Sequence, residues 1–332
     1  MTSVAAPPVT PPRPVDALFD PASVAIVGAS DDPRKWGNWL ARGALRGEAR
    51  RPVHLVNPRA DTVLGRPVHR SLAQLSEPPD LVVVAVPAAH VSETVDQALA
   101  AGARALVVIS AGGDERDAAA LDAALAVRAR DAGAVLLGPN CLGVLDSAKQ
   151  LELVPNPLPA GSIGLISQSG NLALELGLLA ARDGLGLSRF ASLGNQADLT
   201  AADLIGAFAA DEATRLIALY VEDFRDGRAF TQAAADAVAG GTPVVALAIE
   251  DGAASARSVR SHTGALASDG AAIDAAFEAA GIERVHTPRE MIDAAQALLR
   301  CAPARGGRLA VLADGGGHGA IATAAGARAG LE

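Results

Sequence analysis

The residue best placed to do chemistry in this sequence is His262, in the segment Arg260-Ser261-His262-Thr263-Gly264-Ala265-Leu266. Small polar neighbours and a glycine put it in a loop after the apolar run 244–248. A loop histidine is a poor core residue and a fair nucleophile or acid/base. Glu222 ends another apolar run, 216–221. A carboxylate there can accept one ring N–H of a histidine, which fixes the tautomer and leaves the other nitrogen free to attack. Ser167-Gln168-Ser169-Gly170-Asn171 follows the run 162–166 and opens a helical stretch. Ser169 and Gly170 then read in one of two ways. They are a phosphate cradle of free N–H groups on a helix dipole, or an ordinary serine N-cap. The other histidines (His54, His69, His90, His286 and His318) have no such setting, and no HxxxH or HxH pairing points to a metal.

A second group of residues lies earlier in the chain. Gly28-Ala29-Ser30 follows the first apolar run and leads to Gly37. It is not GxGxxG, so it is either a phosphate-approach turn or a tight structural turn. The second run ends in Asn57-Pro58-Arg59, a positive charge where an NAD site would want an acid. Arginine there suits a phosphorylated ribose, as in NADP or the 3′-phospho-ADP part of coenzyme A. Three further loops end strands on the same edge: Val86-Pro87-Ala88, Ser110-Ala111-Gly112-Gly113, and Gly138-Pro139-Asn140-Cys141-Leu142-Gly143. Ligands of open α/β sheets sit at the carboxyl ends of strands.

Positioning these loops requires a particular scaffold. Short apolar runs at 23–27, 53–56, 81–86, 105–109 and 134–137 alternate with helical stretches at 37–46, 91–101 and 118–132. Continuous apolar strands separated by helices predict a doubly wound α/β domain with a parallel sheet covered on both faces. The rhythm restarts with strands at 162–166, 189–192, 216–221, 244–248 and 284–286. Helices fall at 171–183, 200–210, 231–239, 270–280 and 288–299. The proline-containing stretch 151–160 reads as the connector. A strand at 308–313, a glycine-rich turn at 314–319 and a helix from 320 read as the opening of a third α/β domain. The expected organisation is a disordered proline-rich tail (1–16), domains at 17–146 and 147–300, and a truncated third domain at 301–332.

Composition bounds the partners. The 332 residues carry a net charge of −9, half are hydrophobic and a fifth are charged. That is globular protein, with a balance that disfavours nucleic acid. No apolar run is long enough for a membrane helix, and the tail has no signal-peptide core. Two cysteines, Cys141 and Cys301, exclude a disulfide framework.

The set Gly28-Ala29-Ser30, Gly138-Pro139-Asn140-Cys141-Leu142-Gly143, Ser167-Gln168-Ser169-Gly170-Asn171, Gly194-Asn195-Gln196 and Ser261-His262-Thr263-Gly264-Ala265-Leu266 occurs in order and spacing. It resembles the NDP-forming acyl-CoA synthetases, relatives of the succinyl-CoA synthetase α subunit, from about residue 17 to the end. The resemblance implies a CoA-binding Rossmann-like domain, a flavodoxin-like ligase domain and the start of a second flavodoxin-like domain. It implies an acid–thiol ligase that works through an acyl phosphate and a phosphohistidine on His262, oriented by Glu222. Phosphate would be held by Ser169, Gly170, Asn171 and Asn195. CoA would lie against Gly28, Ala29, Ser30, Gly37, Asn57, Arg59, Pro87, Ser110, Ala111, Gly112, Asn140 and Cys141. ATP or ADP with Mg2+ would enter through an ATP-grasp domain or β subunit, which this sequence does not contain. An oligomeric, cytoplasmic enzyme acting on acyl-CoA, carboxylate, CoA and phosphate is implied, and one inactive without that module.

Three features depart from the family pattern. Glu250 and Asp251 stand where a base is common, Arg59 stands where a lysine is common, and Asp314–Gly319 lacks the usual Asn-Ala-Gly-Gly-Pro-Gly. Two other readings compete: a CoA-binding regulatory module of a fused acyltransferase, and an NAD(P)-dependent Rossmann oxidoreductase. Retention of both His262 and Glu222 favours the ligase over the first. The missing acid after the second strand disfavours the second.

Overall fold

A computed structural model describes residues 13–110, 115–249, 270–301 and 306–332, and the chain divides into two compact units, Met1–Leu299 and Arg300–Glu332. The first unit holds two sheets. Its first domain runs β1 (Val24–Val27), α1 (Trp36–Arg46), β2 (Val53–Val56), a small hairpin of β3 (Thr62–Val63) and β4 (Arg66–Pro67), β5 (Leu81–Val84), α2 (Val91–Ala100), β6 (Ala105–Val108), α3 (Glu115–Asp131) and β7 (Val135–Leu137). The sheet is parallel, in the order β2-β1-β5-β6-β7. Every residue of β1, β5, β6 and β7 is buried. Two covered faces are why these strands read as unbroken apolar runs.

The second domain contains β8 (Val144–Asp146), β9 (Leu151–Leu153), β10 (Ala160–Ser167), α4 (Gly170–Arg182), β11 (Leu187–Ser192), α5 (Ala201–Ala209), β12 (Leu216–Val221), α6 (Gly227–Ala239), β13 (Val244–Ala248), α7 (Gly270–Ala280), β14 (Glu283–Val285) and α8 (Pro288–Arg300). The sheet order is β14-β13-β12-β10-β11-β8-β9. Its five parallel strands repeat the topology of the first sheet. Numbered along the chain, both follow the flavodoxin-like order 2-1-3-4-5.

Two sequence expectations change here. The stretch 151–160 is not simply a connector: β9 occupies its start and pairs antiparallel with β8, which pairs antiparallel with β11. Residues 144–146, expected in the first domain, are thus a strand of the second sheet. Three-residue strands carry no readable periodicity, and antiparallel pairing to a distant strand leaves no local signal. Helix α6 also begins earlier than expected, at Gly227, because the Asp226 side chain accepts from the N–H groups of Arg228 and Ala229, both at 3.0 Å. A good cap outweighs a glycine in the first turn.

The two sheets are joined by a packed seam. Phe19, fully buried, meets Phe208 of α5 edge to face at 5.2 Å, and the Arg189 guanidinium lies 5.1 Å from the Phe19 ring centre. Arg189 Nε donates to Asp146 Oδ2 at 2.7 Å, so this buried cation is paired. Arg46 at the end of α1 donates to Glu152 of β9, with Nε at 2.8 Å. One apolar cluster runs from β1 and β5 through to β12 and β13.

Residues 308–313 of the second unit do not form the expected strand, and among its described residues one helix, α9 (Gly316–Arg328), forms. Leu309 N–H donates to the Glu332 carbonyl and Glu332 N–H to that of Gly307, both at 2.7 Å. Leu309, Val311 and Leu312 are exposed. A lone extended segment has no neighbouring strand to complete a ladder, so its apolar sequence does not make a sheet. The helix starts within the stretch expected to be a glycine-rich turn, four residues before the expected start at 320.

Candidate functional site

A cleft of about 1120 Å³ opens where the carboxyl ends of both sheets meet. Its first wall is the turn after β1. Gly28 has φ +94° and donates to the Val56 carbonyl at 2.9 Å; a Cβ on it would lie 2.3 Å from the Ala85 carbonyl oxygen. Gly37 lets α1 seat against that turn, since a Cβ there would sit 1.9 Å from the Gly28 oxygen. The turn is braced by side-chain amides. Asn38 Nδ2 donates to the Ser30 carbonyl at 2.9 Å and Asn57 Nδ2 to that of Ala29 at 2.7 Å. Asn57 Oδ1 in turn accepts from Arg59 N–H at 2.8 Å. This wall lies at the switch point between β1 and β5, where the winding of the sheet reverses.

Among the expected CoA contacts, Gly28, Ser30, Gly37, Asn57, Arg59, Pro87, Ser110, Asn140 and Cys141 all line the cleft. Ala29 does not; it is fully buried beneath the turn. Ala111 and Gly112 lie outside the described residues. Arg34, Lys35 and Arg70 join Arg59 along the cleft. Arg34 is held by Asp32, with Nη2–Oδ2 at 3.0 Å, and this hydrogen bonding brings the Asp32 carboxyl down to about 2. Among the described residues neither Lys35 nor Arg59 is in an ion pair, so both charges remain available to an anion. Cys141 is no nucleophile. Burial pushes its thiol up to about 12, and Sγ donates to the Val108 carbonyl at 3.2 Å.

The opposite wall belongs to the second sheet. Gln168, Ser169, Gly170 and Asn171 line it at the start of α4. Ser169 is the N-cap: its Oγ accepts from Leu172 N–H at 3.4 Å, its N–H donates to Ser167 Oγ at 3.2 Å, and Ser167 Oγ donates to the Ser169 carbonyl at 2.7 Å. The cap reading is therefore correct, and it is compatible with the other. One side-chain oxygen serves one of the four free N–H groups of a helix start. The remaining N–H groups and the dipole still favour an anion.

Glu222 follows β12, buried to 8% exposure. Tyr220 Oη donates to its Oε1 at 2.9 Å, and burial together with the Glu222 charge raises the Tyr220 hydroxyl well above its ordinary value. The link from Glu222 to the α4 turn is Gln168, which sequence reasoning did not single out. Its Oε1 accepts the N–H groups of both Glu222 and, at 2.9 Å, Asp223. His262 lies outside the described residues, so its distance to Glu222 is not part of this geometry.

Asn195 is not on the cleft surface. It stands behind Asn140, where the 194–196 loop is stitched to the turn after β7. Asn195 N–H donates to the Pro139 carbonyl at 2.9 Å and Ala197 N–H to that of Gly138 at 3.1 Å. Trp36 and Leu142, also unforeseen, give the cleft apolar surface; Trp36 packs against the cores of both domains. Trp36 opens α1 with Trp39 edge-on to it at 5.4 Å, and a helix's first residue carries no periodicity that marks it as cleft surface. Among the described residues no group of three or more His, Cys, Asp or Glu side chains is arranged to hold a metal. No described helix is long and apolar enough to cross a membrane.

This architecture is that of a two-domain CoA-dependent ligase. Residues 22–147 match the CoA binding domain model and residues 160–298 the succinyl-CoA ligase like flavodoxin domain. The chain is 32% identical over 326 residues to the α subunit of Pyrococcus furiosus acetate–CoA ligase (ADP-forming) I, covering 96% of this chain and 70% of that one. It is 34% identical over 311 residues to a trans-feruloyl-CoA synthase of an unknown prokaryote, covering 91% of this chain and 44% of the relative. An acetyl-coenzyme A synthetase of Ca. Korarchaeum cryptofilum, solved with phosphate and ADP, superposes with TM-score 0.89 at 32% identity. The match covers 95% of this chain and 69% of that one. The chain belongs to the ADP-forming acetate–CoA ligase family.

Proposed function

We propose that this chain is the CoA-binding and phosphoryl-accepting part of an acid–thiol ligase. The observation that carries the reading is that one cleft is walled by the switch-point turns of both sheets. CoA lies with its phosphates toward the Gly28 turn, Lys35 and Arg59, and its thiol end toward Asn140 and Leu142. Inorganic phosphate sits at the start of α4, on Ser169, Gly170 and Asn171.

The chemistry follows from that placement. A phosphate oxygen attacks the thioester carbonyl, the C–S bond breaks, and the CoA thiolate leaves with an acyl phosphate behind. His262 attacks the phosphorus with its neutral ring nitrogen, and the carboxylate departs. The resulting phosphohistidine gives its phosphoryl group to ADP on an ATP-grasp domain or β subunit, where Mg2+ acts. Run backwards, the sequence makes acyl-CoA. Such transfers need in-line positioning and fixed donors more than covalent machinery. Glu222 orients the imidazole, and Gln168 holds Glu222 against the α4 turn. Asn195 contributes from behind Asn140. CoA and nucleotides are cytoplasmic substrates, and we place the enzyme there, as an oligomer with its nucleotide-binding partner.

Incubation with γ-labelled ATP and a complementing ATP-grasp subunit should label the chain with acid-labile, base-stable phosphate. Loss of label in His262→Ala is the expected result; retained label would overturn the assignment.

A further inference from the structure

Asp122, on α3, is a buried acid that the reaction above does not use. Its side chain is 8% exposed, and burial raises its carboxyl above the ordinary range. It has no salt bridge among the described residues, and its Oδ1 is buried without a hydrogen-bond partner. The other oxygen, Oδ2, accepts from Asn195 Nδ2 at 2.8 Å. Asn195 Oδ1 in turn accepts from Asn140 Nδ2 at 3.3 Å. The Asn195 main chain is fixed at both ends: its N–H goes to Pro139, and its carbonyl accepts from Arg225 Nη2 at 2.7 Å. Asn140 has φ +59° and lines the cleft between the β7 turn and Leu142.

The order of these contacts has a direction. An ionised carboxylate only accepts, so it draws the NH2 end of Asn195 toward α3. The carbonyl end of Asn195 then faces Asn140 and takes its NH2 group as donor. Asn140 is left with its own carbonyl end as the polar group to present. An amide has two flip states of similar shape, and only a fixed partner chooses between them. Arg225 donates to the Asn195 backbone carbonyl and pairs with Asp223, and it reaches Asp122 through its field with no direct hydrogen bond. A buried polar atom without a partner, as Asp122 Oδ1 is, calls for a reason beyond packing.

We propose that Asp122 is a positioning residue that acts through Asn195 to set which end of the Asn140 amide faces the thiol end of CoA. The inference rests on the ligase reading for its consequence, but the relay itself does not. Arsenolysis of acetyl-CoA by the chain assembled with its complementing ATP-grasp subunit reads the consequence without a nucleotide. Arsenate attacks the thioester carbonyl, the C–S bond breaks, the CoA thiolate is released and counted, and the acyl arsenate hydrolyses. Asp122→Ala should lower kcat by about 10- to 100-fold, the scale of a misplaced reacting group. KM for acetyl-CoA should stay within about twofold, because the nucleotide end is held elsewhere. Asp122→Asn keeps an acceptor and should recover part of the rate. The decisive variant is Asp122→Ala in an Asn140→Ala background, which should lose nothing further. Additive losses would mean general damage and overturn the relay.

The relay is also read in the free protein, by the side-chain amide resonances of Asn140. These should move on Asp122→Ala in the wild-type background and stay in place on the same change in Asn195→Ala. Movement in both backgrounds, or in neither, overturns the relay whatever the enzyme's chemistry. If the wild type, assembled with its complementing ATP-grasp subunit, binds CoA and shows no arsenolysis of acetyl-CoA or of bulkier acyl-CoAs while the resonances behave as expected, the ligase reading falls and the relay stands. Where Asp122→Ala destabilises the fold, Asp122→Leu, which keeps the branched shape at larger volume and has no acceptor, replaces it.

Discussion

The two sheets of the first unit share a strand order and differ in the turn at the switch point. In the first, the β1 turn is closed by backbone: Gly28 and Gly37 bring main chains together where no Cβ fits. The N-cap of α1 is Lys35, whose side chain caps nothing and instead lines the cleft. In the second, the N-cap of α4 is Ser169, whose side chain does cap, and the nearest obstacle to a Cβ on Gly170 is the Leu142 side chain at 3.2 Å. Cations cluster at the first turn, and a buried carboxylate, Glu222, stands behind the second. One topology thus supports two kinds of anion site. The first suits a large ligand whose phosphates stay near solvent and lysine and arginine. The second suits a small group held by helix N–H donors beside an acid that can steer a histidine.

The comparison can be broken at its seam first. Phe208→Ala removes a fully buried ring that joins the domains through Phe19 and should cost about 3–5 kcal/mol in chemical denaturation. Separate unfolding transitions in the wild type would show that the sheets are not one cooperative body. Gly37→Ala should cost about 1–3 kcal/mol by overpacking against backbone and abolish CoA binding in calorimetry. Gly170→Ala should cost clearly less, since a leucine side chain can move; equal losses would erase the proposed difference between the turns.

Smaller effects sharpen it. Ser169→Ala should lose about 1 kcal/mol of helix capping, whereas Lys35→Ala should leave the unfolding midpoint nearly unchanged and weaken CoA binding. The cysteines should differ in reactivity: a thiol reagent at neutral pH should modify exposed Cys301 and spare buried Cys141 in the native chain. The sign of the pH effect is fixed. Between the ordinary thiol value of 9.0 and about 12, the unfolded thiol ionises while the native one keeps its proton. The unfolded state then binds fewer protons, so this contribution to stability is full below pH 9.0 and is lost as pH rises toward 12. Denaturation midpoints of wild type and Cys141→Ala across that window measure it.

Much of the scaffold is legible residue by residue. The runs at 216–221 and 244–248 coincide with β12 and β13, because strands buried on both faces must be apolar throughout. The loops that line the cleft were readable for a related reason: a doubly wound sheet sends its βα turns to one edge. Gln168 lies among the small polar residues before α4 and Asp122 in an alanine-rich helix, and neither position has a local pattern that marks its role. Their partners are 54 and 73 residues away, and no local pattern encodes such pairings.

By itself the sequence determined two parallel α/β sheets, the edge at which their turns emerge, and the motif set that marks the family. These follow from local hydrophobic period and turn chemistry, which act over a few residues. The tertiary structure alone decided that β8 and β9 extend the second sheet and that both switch points face one cleft. It also decided that Asn195 looks toward α3 and not into the cleft. Each of these depends on contacts between residues far apart in the chain, whose geometry is set only when the two domains pack.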